Sequence, residues 1–112
     1  MLTQEEFELT AWLLRHGIDG AEDFLPQLDK AKVFSHCQCG CASIDFSIDG
    51  KRPQTFGMRI LADYQWTDEH GHQFGAFVFE QDNLLGGLDL WSMGEANALQ
   101  LPPIHLLVPL RD

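Results

Sequence analysis

The residues best equipped for chemistry are Cys37, Cys39 and Cys41, with His36 immediately before them. Three thiolates and an imidazole form a complete ligand set for tetrahedral zinc, and soft sulfur donors also suit Cu(I). The spacing works against that reading. Residues two apart on a regular strand are separated by about 7 Å of rise, so Gly40 would have to bend the chain to bring the sulfurs onto one ion. Thiol redox chemistry usually employs Cys-x-x-Cys ahead of a helix, which is absent, although a Cys-x-Cys resolving pair stays open. The third reading is packing, since cysteine is among the most buried residue types.

Other chemistry finds less material. His70-Gly71-His72 beside Asp68 and Glu69 reads as a polar hairpin loop, with at most weak affinity for a divalent cation. Asp45 and Asp63 would serve as an acid/base pair only in a shared pocket. The sequence contains no phosphate-binding glycine loop, no Gly-x-Ser-x-Gly elbow and no His-Glu-x-x-His helix. The expectation is therefore no enzymatic activity and no cofactor, with zinc entering only under the cysteine reading.

The charge balance narrows the partners. Seventeen acids against seven bases give a formal net charge of −10 over 112 residues. Nucleic acid and anionic membrane surfaces both demand a basic footprint, and neither is expected as a partner. Nine acids and six bases lie up to Arg59, a balance of −3, while eight acids and only Arg111 follow, a balance of −7. A field so uneven steers a basic protein partner. The N-terminus has neither the basic start nor the apolar block of a signal peptide, and no apolar run reaches transmembrane length, so the expected location is the cytoplasm.

The elements that must position these groups follow from local patterns. Thr3 to His16 reads as a helix, with Thr3 and Glu6 as a capping box and Gly17 as a left-handed C-cap. Phe7, Leu9, Thr10, Ala11, Leu13 and Leu14 form its buried arc, with Trp12 at the border. Ile18 to Ala31 reads as a shorter helix that Pro26 kinks or splits. Strands are expected at 32–35, 43–48, 58–66, 73–81 and 84–93, with turns at Asp49-Gly50, Asp68–Gly71 and Asp82-Asn83 and a bulge at Gly86-Gly87. The tail, with Pro102, Pro103 and Pro109, is expected to lie extended across the body. The fold class is α+β: two N-terminal helices on one face of a mostly antiparallel sheet of four to five strands, in a single domain over 1–112.

Alternation then divides the sheet. Ile44, Phe46, Ile48, Ile60, Phe77, Phe79, Leu88 and Leu90 are assigned to the helix side. Asp45, Asp63, Glu80 and Asp89 fall on the outer face, together with Leu61, Phe74, Val78 and Trp91. A face mixing acids with aromatic rings has the composition of a protein-binding surface. The candidate partner-binding residues are Asp63, Trp66, Asp68, Glu69, Glu80, Asp89 and Trp91.

The run Cys37-x-Cys39-Gly40-Cys41-x-Ser43-Ile44-Asp45, followed by Leu85-x-Gly87-Leu88-Asp89-x-Trp91 and Leu101-Pro102-Pro103, resembles a group of small bacterial proteins without an assigned activity. In its compact, acidic layout the chain is also similar to immunity proteins of bacterial toxin systems. That similarity implies a binding module that neutralises a basic toxin domain. The rivals are a metal-binding protein using Cys37, Cys39, Cys41 and His36, and a structural homodimer.

Overall fold

A computed structural model describes residues 2–36, 43–51, 58–93 and 101–109. Helix α1 spans Gln4–Arg15 and starts as its sequence dictates: the Thr3 hydroxyl accepts from the Glu6 amide at 3.1 Å, and the Glu6 carboxylate accepts from the Thr3 amide at 2.8 Å. Leu9, Thr10, Ala11, Leu13 and Leu14 are buried along it. Phe7 is not part of that stripe and remains 38% exposed. Trp12 sits at the border, stacked on His16 and edge-on to Tyr64. Pro26 breaks the second helix into two short turns, a 3-10 turn at Ala21–Phe24 and the single α-turn α2 at Leu25–Leu28.

Gly17 differs from its expected role. Its φ is not positive, and the C-cap is His16. What Gly17 permits is close approach, because a Cβ there would collide with the carbonyl oxygen of Leu61. The amide of Ile18 donates to that same oxygen at 2.8 Å, tying the end of α1 to the sheet.

Among the described residues the sheet has six strands, not four or five: β1 Ala31–His36, β2 Ile44–Ile48, β3 Arg59–Thr67, β4 Gln73–Gln81, β5 Leu84–Met93 and β6 Val108–Pro109. Their order is β1-β2-β5-β4-β3-β6, and every pairing is antiparallel. The extra strand is the tail itself. Val108 and Pro109 pair with Gln65 and Tyr64, at an edge where proline's missing N–H costs nothing. A 3-10 turn at Ile104–Leu106 precedes it, and Leu107 is buried in the core. Two hairpin turns carry the left-handed pairs their sequences announce: Asp49 and Gly50 at φ 53° and 79°, Asp82 and Asn83 at φ 55° and 62°. Among the described residues no helix is long and apolar enough to cross a membrane.

Cross-strand partners share a face, so the strand pairing settles the two sides. Phe46, Ile44, Leu88, Val78 and Ala62 lie on the helix side of the sheet, as do Leu90, Ala76, Phe74 and Trp66. Here the alternation misassigned several residues. Leu61, Phe74 and Val78 belong to the core, while Ile60, Phe77 and Phe79 face outward. The cause is twofold. Strand β4 is apolar at both parities, and a register shift between Ile60 and Ala62 reverses the phase within β3.

Candidate functional site

The outer face is built on glycines. Gly75 pairs with Trp91, and Gly87 pairs with Phe79. A Cβ on Gly75 would overlap the Trp91 indole, so that ring lies flat over the glycine. A Cβ on Gly87 would come within 3.0 Å of the Phe79 ring and 2.6 Å of the Ile44 carbonyl. Phe79 is only 6% exposed yet stands apart from the main core, because it roofs Gly86 and Gly87 on the opposite side of the sheet. The expected bulge is here: Phe79 faces Gly87 while Glu80 faces Leu85, which leaves Gly86 as the additional residue. Phe77 lies beside Phe79, with ring centroids 6.0 Å apart.

Acids flank these rings. Asp63, Phe77 and Asp89 form one cross-strand row over β3, β4 and β5. Asp45 opposes Gly87, which places it diagonally from Asp89. Burial raises the Asp89 pKa above the ordinary carboxylate value, and the nearby charge of Asp45 raises it further. Among the described residues Asp89 has no hydrogen-bond donor and no cationic partner. It is a half-buried carboxylate with a like charge for its neighbour.

Of the residues singled out from sequence, Asp63, Asp89 and Trp91 come together on this face. Trp66 does not. It is buried in the core and stacked on Phe74 with centroids 5.2 Å apart. Glu80 is also spent inside the fold. Its Oε2 accepts from the Asn83 amide at 3.0 Å, and its Oε1 lies 3.5 Å from Nε of Arg59. The same turn is held by Gln27, whose Oε1 accepts from the Leu85 amide at 2.9 Å and whose Nε2 donates to the Asn83 carbonyl at 2.7 Å. Asp68 and Glu69 occupy the β3–β4 loop at the end of the sheet.

That loop is organised by Asp68. Its Oδ1 accepts from the amides of His70 and His72, each at 2.9 Å, and Nδ1 of His72 lies 3.3 Å from Oδ2. Desolvation works to raise the Asp68 pKa, but these donors outweigh it and hold the carboxyl below its ordinary value. Asp68 is thus a turn-forming residue. Cys37, Cys39 and Cys41 lie outside the described residues, and His36 is described only as the last residue of β1. Among the described residues no three His, Cys, Asp or Glu side chains converge on a common point.

Phe77 and Phe79 are the members of this face that alternation missed. Their signal was present in Gly75, Gly86 and Gly87, because a glycine inside a strand needs a neighbouring ring to cover it. No family model, no curated protein and no solved structure matches the chain.

Proposed function

We propose that this chain is a binding module that docks a basic protein partner on the outer face of its sheet. The observation carrying this reading is the row Asp63–Phe77–Asp89 with Trp91 and Asp45 beside it. Aromatic rings supply desolvated contact area, and carboxylates set partner choice and association rate. The net charge of −10 extends the attraction beyond contact distance. Within this class, the similarity to immunity proteins supports the narrower role of neutralising a basic toxin domain, such as a nuclease whose own substrate is polyanionic.

The test compares two variants of equal charge. Asp45→Asn with Asp89→Asn alters the outer face, whereas Glu5→Gln with Glu22→Gln alters exposed positions elsewhere. Wild type and the second variant are expected to retain the same basic protein from native extract, and the first to lose it. Binding rates measured against ionic strength should then show the shallower salt dependence for the outer-face variant alone. Equal loss in both variants would reduce the attraction to bulk acidity and overturn the reading.

A further inference from the structure

Resting on that docking reading, we infer that the group this face receives is an arginine side chain of the partner, lying on the Trp91 indole and pairing with Asp89. Trp91 and Asp89 are two residues apart on β5, hence on one side of the strand and about 7 Å apart along it. A Cβ on Gly75 would overlap Cε2, Cζ2 and Nε1 of the indole, so one side of the ring is spent on the glycine. Trp91 is partly exposed and has no aromatic or cationic neighbour among the described residues. Beside it on β5 stands Asp89, the carboxylate with no donor and no cation among the described residues.

A flat ring beside an uncompensated carboxylate suits a planar cation that both stacks and donates. Guanidinium does both at once: its plane lies on the indole while its N–H edge reaches the carboxylate oxygens. An ammonium is a compact, strongly hydrated point charge, which gains from the carboxylate but cannot stack. The inference is thus narrower than a preference for positive charge.

The test uses N-acetyl-arginine amide and N-acetyl-lysine amide as probes of the full chain, followed by amide and indole NMR shifts. The Trp91 indole resonance is assigned by its loss in Trp91→Phe. The arginine probe is expected to shift the Trp91 indole and Asp89 amide signals saturably, with an apparent affinity about three- to fivefold tighter than the lysine probe. Asp89→Asn should abolish most of the response while leaving the Trp66 indole signal in place, which shows that the fold persists. Equal responses to both probes would overturn the arginine assignment and leave the acidic docking face standing. Shifts located away from Trp91 and Asp89 would overturn it as well, while the capture experiment above decides the broader reading separately.

Discussion

The two sides of the sheet are made from alternate residues of the same strands, yet they obey different rules. On the helix side the face is continuous hydrocarbon: Phe46, Leu88 and Val78 are fully buried within one core cluster. On the outer side, large rings stand over glycines and acids stand between the rings. The first arrangement is what hydrophobic burial selects. The second leaves Asp89 without a counter-charge among the described residues, an arrangement that burial alone would not select and that the proposed basic partner would complete.

The largest expected effect tests whether the inner face is truly the core. Phe46→Ala should cost about 3–5 kcal/mol, through lost transfer energy and the cavity left behind. Phe77→Ala removes the same ring from a half-exposed site and should cost about 1–1.5 kcal/mol. Urea denaturation of both variants measures the contrast. Equal losses would make the outer face a second core and break the comparison.

The next effect sharpens the glycine argument. Gly75→Ala drives a methyl group into the Trp91 indole and should destabilise the fold by about 1–3 kcal/mol. Adding Trp91→Ala removes the obstacle, so the double variant should be more stable than the sum of the single changes predicts. A double-mutant cycle by thermal denaturation reads that coupling. Additive losses would mean the ring does not rest on Gly75.

These details also mark where the sequence could be read. The α1 start was legible because Thr3 and Glu6 interact over a single turn, and the hairpins at Asp49-Gly50 and Asp82-Asn83 because their backbone demands are local. The acids at 45 and 89 and the ring at 91 were legible because β2 and β5 keep one polar parity, and Asp63 because it alternates with Ala62, Tyr64 and Trp66 on β3. Strand β4 offered no such contrast, since Phe74, Ala76 and Val78 alternate with Gly75, Phe77 and Phe79. The shift at Ile60–Ala62 and the pairing of Val108-Pro109 depend on distant partners, which periodicity does not register. Glu80 and Trp66 were misjudged as surface groups because Arg59 and the Asp82-Asn83 turn claim the first and Phe74 the second only once the strands pair.

The smallest expected effect bears most directly on the acids. The Asp89 pKa is raised on folding by burial and by Asp45, so the folded state holds its proton more tightly than the unfolded chain does. Between the ordinary value of 3.8 and the raised folded value, stability therefore falls as pH rises, and the penalty persists in full at neutral pH. Asp89→Asn removes it. The variant should be more stable than wild type at pH 7 by about 0.2–1 kcal/mol, the scale of a like-charge pair across neighbouring strands. That advantage should shrink as pH drops through the window and vanish below about pH 3, where the aspartate is protonated in both states. Denaturation midpoints across pH 3–7 measure the trend. A loss of stability in Asp89→Asn at pH 7 would mean that the fold itself already satisfies this carboxylate, and the outer face would then have no unmet charge to offer a partner.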